Sequence, residues 1–193
     1  MRWAAFVVML FVTLAAELSL RPVLTIRSMG GISPSFIAPL AVFVAMFAPR
    51  MTALWSCWLL GLLLDLSTPI VPGTGGSFYV LGPYALGYVF AGYLILQLRP
   101  VVFRQKVLTM AFLTFLSLVA VALITVAIFV LRGWAGGDPT IYPTSPSASQ
   151  ELFQRFGIAM YSAAVAIPVG WLMLATLPYW GFPTVAHRRT ARR

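Results

Sequence analysis

Between Ile32 and Leu66 the chain is apolar almost without interruption, and the main break is the dipeptide Pro49-Arg50. An α-helix rises 1.5 Å per residue, so about 20 residues cross the roughly 30 Å of hydrocarbon in a bilayer. A run of this length with one central break predicts two membrane-spanning helices folded back as a tight hairpin. Their expected limits are residues 32–48 and 51–68. Pro34 and Pro39 should bend the first helix or delay its start, because proline lacks an N–H and is tolerated only in the first turn. Pro69 ends the second.

The rest of the chain follows the same pattern. Of its 193 residues 61% are hydrophobic and 9% are charged, where a soluble domain carries about a quarter charged residues. That much apolar surface cannot be enclosed in one small globule, and lipid is the solvent that accepts it. Further spans are expected at residues 3–20, 78–98, 107–131 and 156–180. The fold class is therefore an all-α integral membrane protein of six transmembrane helices, one domain over residues 1–186, with a basic tail at 187–193. The first span shares a basic start and an apolar core with signal peptides, but Glu17 sits too near a cleavage point, so a retained helix is expected. The fifth span is the most uniformly apolar and is expected to be peripheral or lipid-facing. The sixth should kink at Pro168, with Ser147 and Gln150 forming a capping box at its start. Six Trp, seven Tyr and fourteen Phe suit headgroup-level belts.

The net charge of +9 would suggest nucleic acid in a soluble protein, but here the basic residues fall in connectors and the tail, which argues against a nucleic-acid partner. Six spans put both termini on one side. That side would carry Arg2, Arg50, Arg99, Arg104, Lys106, Arg188, Arg189, Arg192 and Arg193, against Arg21, Arg27, Arg132 and Arg155 on the other. Nine against four points the termini to the cytoplasm. The connector from Pro69 to Ser77 and the polar loop 132–155 then face outside, with the span ends that carry Glu17 and Asp65.

Catalytic chemistry has little to work with. Cys57 is the single cysteine and lies in an apolar run, and His187 is the single histidine and lies in the tail. Neither a metal cluster nor a histidine-based triad can be assembled, and no cofactor is expected. Gly73-Thr-Gly-Gly76 lacks the Gly-Lys-Ser/Thr ending of a phosphate loop.

The residues that stand out are ionisable groups within spans, which cost up to about 3 kcal/mol at the centre of a bilayer. Glu17 has Arg21 four positions on, so a local ion pair is its simplest account. Asp65 has no neighbouring partner. It either reaches outside water, accepts N–H groups from the turn at 73–77, latches two helices together or forms a polar site opening outward, with Arg21 and Arg27 as the nearby cations. In the fourth span Gly87 and Ala91 form a small-xxx-small pair suited to close helix approach, and Tyr84 and Tyr88 share a face; internal packing outweighs a ligand stripe.

A helical hairpin followed by Gly61-Leu-Leu-Leu-Asp65, a Gly-containing turn and a Tyr/Gly-rich span resembles the rod shape-determining protein MreD family. The likeness is specific from Gly61 to about Gly92, and the short arginine-bearing turn and basic C-terminus fit it. Gly61 and Asp65 match the family's signature positions, and Gly73 or Gly76 the glycine that follows; the loop at 132–155 is longer than in the family. The resemblance implies a non-enzymatic scaffold in the bacterial inner membrane, serving lateral peptidoglycan synthesis. Its implied partners are a bitopic MreC-like protein, an MreB-like filament and a RodA–transpeptidase pair, besides membrane lipid. The family also looks distantly like the substrate-binding subunits of vitamin transporters, so a small-molecule binding subunit is the alternative.

Overall fold

The computed structural model describes residues 2–26, 31–68, 79–100, 106–134 and 148–182. Six α-helices follow one another: α1 (Trp3–Leu20), α2 (Ile37–Phe47), α3 (Arg50–Ser67), α4 (Pro83–Leu98), α5 (Val107–Trp134) and α6 (Ala148–Ala175). A 3-10 turn, Leu177–Trp180, closes the described chain. Among the described residues the one β feature is an isolated bridge between Ile26 and Ile32. Helix α1 and the segments Val107–Leu131 and Leu152–Ala175 are long and apolar enough to cross a membrane. The remaining three helices are apolar too.

Helix α2 is the hub. Every residue from Ile37 to Met46 is buried, and α2 packs against α1, α3, α4, α5 and α6. Its sequence, IAPLAVFVAMF, is apolar on all sides, as a helix with no solvent face must be. At 11 residues it is only about 16 Å long, little more than half a bilayer. The chain enters it through residues 33–36, which are extended or bent and buried. Pro34 precedes the helix and Pro39 sits in its first turn, so both prolines are where a missing N–H costs nothing. The expected delay in the start is thus five residues.

The hairpin turn forms as the Pro49-Arg50 break predicts. Helix α2 ends at Phe47, Ala48 is extended, and Pro49 is the N-cap of α3. Arg99, at the end of α4, donates from Nη1 to the Ala48 carbonyl oxygen at 2.8 Å. A guanidinium at a helix C-terminus satisfies one orphan carbonyl and opposes the negative end of the dipole.

Three expectations on packing and limits need correction. Helix α5 is the most buried of the three long apolar helices, and α1 is the least. The many small and β-branched residues of α5 make it a packing surface for α2, α4 and α6, whereas α1 packs only on α2 and the 3-10 turn among the described elements. Helix α4 starts at Pro83 and not at Phe78, because Gly82 and Pro83 are the N-cap and the first helical position. Helix α6 starts earlier than expected, runs through Pro168 and stops at Ala175; Pro178 then opens the 3-10 turn. The Ser147 cap, the 187–193 tail, Arg27, Gly73 and Gly76 lie outside the described residues.

The two ends of the described chain meet. The Arg2 N–H donates to the Trp180 carbonyl at 2.8 Å. Trp180 itself is buried against Phe43 and Phe182, with ring centroids 4.9 and 5.6 Å away.

Candidate functional site

Both acids found within spans are buried, and both cap the start of another helix. Asp65 is 2% exposed. Its Oδ2 accepts N–H groups from Gly82 at 2.9 Å and Ala85 at 3.1 Å, and its Oδ1 accepts the Tyr84 N–H at 3.1 Å. These donors are the unsatisfied N–H groups of the first turn of α4, and a carboxylate there also meets the positive end of the helix dipole. The latch between helices is therefore the arrangement found, but its partner is backbone. Among the described residues Arg21 is engaged with Glu17 and Ser33 and not with Asp65, and the expected donors of the 73–77 turn lie outside the described residues.

Gly61, one turn before Asp65 on the same face of α3, makes this contact possible. A β-carbon at Gly61 would fall 2.6 Å from the Ala85 Cα and 2.6 Å from the Tyr84 oxygen. The bare backbone of Gly61 lets the first turn of α4 settle on α3, close enough for the Asp65 carboxylate to reach three N–H groups. Gly82 completes the clamp with φ +122°, a conformation that residues with a β-carbon rarely adopt. Gly87 faces α5, where a β-carbon would lie 3.0 Å from Val121 Cγ1. Ala91 is fully buried, so the small-xxx-small pair serves internal packing, as expected.

Glu17 is 3% exposed. Its Oε2 accepts the N–H groups of Phe36 at 2.6 Å and Ile37 at 3.3 Å, and the Ser35 hydroxyl lies 3.4 Å away. The expected pair with Arg21 also forms, Nη1 to Oε1 at 3.5 Å, but the backbone donors at the start of α2 are the closer ones. Sequence spacing revealed the local partner and could not reveal the distant one. The two acids thus repeat one device: the acid near the end of α1 caps α2, and the acid near the end of α3 caps α4.

Beside Glu17 lies a cavity of about 80 Å³. Arg21, Ser33, Tyr84, Tyr88 and Arg155 supply its polar wall, and Leu118, Val121 and Ile158 its apolar one. Arg21 donates from Nε to Ser33 Oγ at 3.0 Å. Arg155 donates from Nη1 to the Tyr84 hydroxyl at 3.3 Å, with its guanidinium carbon 5.9 Å from the centre of that ring. The Ser35 N–H donates to Ser162 Oγ at 2.9 Å, tying the segment before α2 to α6. Non-helical backbone at this depth in a membrane protein is tolerated where it is enclosed or lines a cavity, and residues 33–35 do both.

Asp65 does not line the cavity, while Tyr84 and Tyr88, four apart on α4, both do. Arg155, Ser35 and Ser162 belong to the site without having been singled out in the sequence; no local pattern marks them, since they meet only through the packing of α6 against the 33–35 segment. The arrangement offers two guanidinium groups and several hydroxyls around a small recess. Among the described residues no group of three or more His, Cys, Asp or Glu side chains is placed to hold a metal ion. Comparison with protein-family models, with curated proteins and with solved structures gave no match for the chain.

Proposed function

We propose that this protein is a non-enzymatic scaffold of the cell-elongation machinery in the bacterial inner membrane. It would hold a bitopic MreC-like partner, and through it an MreB-like filament and a RodA–transpeptidase pair. The observation that carries the reading is the clamp of Gly61 and Asp65 on the first turn of α4. The two positions that resemble the family's signature fix the geometry of a helix pair and leave no carboxylate oxygen aimed at a substrate. A signature spent on the shape of a helical surface suits a protein whose task is to present that surface. The termini are taken as cytoplasmic on the distribution of Lys and Arg, which places Glu17, Asp65 and the cavity towards the outer face.

The test is affinity purification in mild detergent, asking whether an MreC-like protein co-elutes, together with deletion in a rod-shaped host. Co-elution that weakens in Asp65→Ala, and rounding of the cells on depletion, are the expected results. Cells that keep their rod shape after deletion would overturn the proposal.

The polar lining of the cavity, with Arg21, Tyr84, Tyr88 and Arg155, is what speaks for a second reading, a small-molecule binding subunit of a transporter, and the size of the cavity speaks against it. A volume of about 80 Å³ argues against enclosure of a whole vitamin-like solute, for which pockets of about 300–1,000 Å³ are usual. Binding of such a solute to the purified protein, unaffected by removal of all elongation proteins, would establish the transporter reading.

A further inference from the structure

We propose that the outward side of α6 around Ala164 and Pro168 seats a transmembrane helix of another protein, one that carries an Asn or Gln at its midpoint. The inference is independent of the scaffold reading and rests on one backbone carbonyl.

Pro168 lies inside α6 and has no N–H, so the carbonyl of Ala164 loses its helical donor. The Ser162 hydroxyl, two residues away, is turned elsewhere: it donates to the Ile158 carbonyl at 2.7 Å. Depth makes the loss serious. The apolar span Leu152–Ala175 has 24 residues, with Ala164 at its midpoint, about 18 Å from either end. That is the centre of the hydrocarbon. An unsatisfied backbone group is costly there, and proline is tolerated in a span where a neighbour serves the freed carbonyl. Among the described elements the neighbours of α6 lie on its other side. Ser162, Ala166 and Gly170 form the buried face, towards α2 and α5. Ala164 and Pro168 are exposed, in line with Met160, Ile167 and Trp171.

The chemistry of that face selects its occupant. Acyl chains carry no donor at this depth, so the occupant is protein, and a span that brings a donor here without baring its own backbone is a helix. Ala164, with one methyl group, lets such a helix come close. The partial negative charge of the carbonyl calls for the positive end of an N–H or O–H. A hydroxyl on a helix is drawn to its own preceding turn, as those of Thr114 and Ser162 are, so a carboxamide is the better donor. A second copy of this chain cannot bring one. The chain has no Asn, and Gln97, Gln105, Gln150 and Gln154 stand at the ends of spans or outside them.

The experiment places the full chain in phosphatidylcholine vesicles with dilute synthetic helices of about 20 leucines flanked by lysines, and reads proximity by energy transfer. One helix has Asn at its midpoint and the other is leucine throughout. The Asn helix should bind about three- to tenfold more tightly, the gain from one interhelical hydrogen bond. Pro168→Ala supplies the missing N–H from within α6. It should abolish that preference while the unfolding midpoint in detergent stays at or above that of wild type. Ala164→Leu, on the exposed face, blocks the approach and should weaken capture of the Asn helix; it decides the matter if Pro168→Ala alters the course of α6. Val8→Leu, on the exposed face of α1, should change neither affinity. Equal binding of both helices to wild type, a preference that survives Pro168→Ala and Ala164→Leu, or one that Val8→Leu removes would each overturn the assignment. Self-association of the chain without added helix, lost in Ala164→Leu, would give the face to a second copy and overturn it as well.

Discussion

The backbone of Ala85 lies so close to Gly61 that a β-carbon on Gly61 would stand 2.6 Å from the Ala85 Cα. The atoms it would strike belong to helix backbone, which cannot move aside as a side-chain tip does. Gly61→Ala therefore has to push α4 away from α3, and the three hydrogen bonds to Asp65 lengthen together. Overpacking of this kind costs about 1–3 kcal/mol. A fall in the midpoint of thermal unfolding in detergent, larger for Gly61→Val than for Gly61→Ala, is the expected result. An unchanged midpoint for both would show that α4 does not sit on Gly61.

Asp65 should respond differently to loss of charge and loss of the side chain. Asp65→Ala removes the cap outright and leaves three buried or half-buried N–H groups without an acceptor, for a cost at or above the ~0.5–2 kcal/mol of a lost N-cap. Asp65→Asn keeps one oxygen but turns an NH₂ towards a donor. Asparagine should thus fall between wild type and alanine. If Gly61→Val and Asp65→Ala act on one contact, the double variant should be less destabilised than the sum of the two.

Much of this was legible beforehand, and the reasons differ by element. The hairpin at Pro49-Arg50 could be read because a proline after a long apolar run has few places to go. The burial of α2 on every side could not, because a uniformly apolar helix faces lipid or protein equally well; its 11-residue length, set by the 33–36 segment, decides for protein. For α5 the same ambiguity led to the opposite expectation, lipid-facing, and packing overruled it. The Glu17–Arg21 pair was readable from a four-residue spacing, whereas the Phe36 N–H that Glu17 also binds is 19 residues away. Gly82-Pro83 was a local signal for a helix start that the surrounding apolar run concealed.

Glu17 offers a second test of the same capping device. Glu17→Ala should cost more than Arg21→Ala, because the first strands the buried donors of Phe36, Ile37 and Ser35. The second removes a half-exposed partner at 3.5 Å and leaves the carboxylate held by backbone. Glu17→Gln should retain part of the cap. The measurement is unfolding midpoint for the three variants, and an Arg21→Ala defect equal to that of Glu17→Ala would mean that the ion pair, not the cap, is the dominant contact.

Arg99 fastens the opposite end of α2. Its 2.8 Å hydrogen bond to the Ala48 carbonyl is charge-assisted and lies at a helix C-terminus, so Arg99→Ala should cost about 1.5–3 kcal/mol, most of it recovered in Arg99→Lys only if an ammonium can reach the same oxygen. Hydrogen exchange gives the sharper readout. Amides in the last turn of α2 and the first turn of α3 should lose protection in Arg99→Ala, while those around Glu17 keep theirs.

Gly92 and Cys57 should rescue one another. A β-carbon at Gly92 would lie 2.7 Å from Cys57 Sγ and 3.3 Å from its Cβ, so α3 and α4 meet here through a sulfur and an absent side chain. Gly92→Ala alone should destabilise, since Cys57 is buried against Ala41 with its sulfur 3.9 Å from that carbonyl oxygen and has little room to turn. Cys57→Ala alone should cost less, about the ~1 kcal/mol expected for removing one buried heavy atom. The double variant removes the sulfur and puts one new methyl group in the space it leaves, 3.3 Å from the β-carbon of residue 57, and it should be more stable than Gly92→Ala. Because the gain appears only in combination, a double-mutant cycle on unfolding midpoints reads it directly. Additive losses would mean that the two residues do not touch, and that α4 crosses α3 elsewhere than at the sulfur.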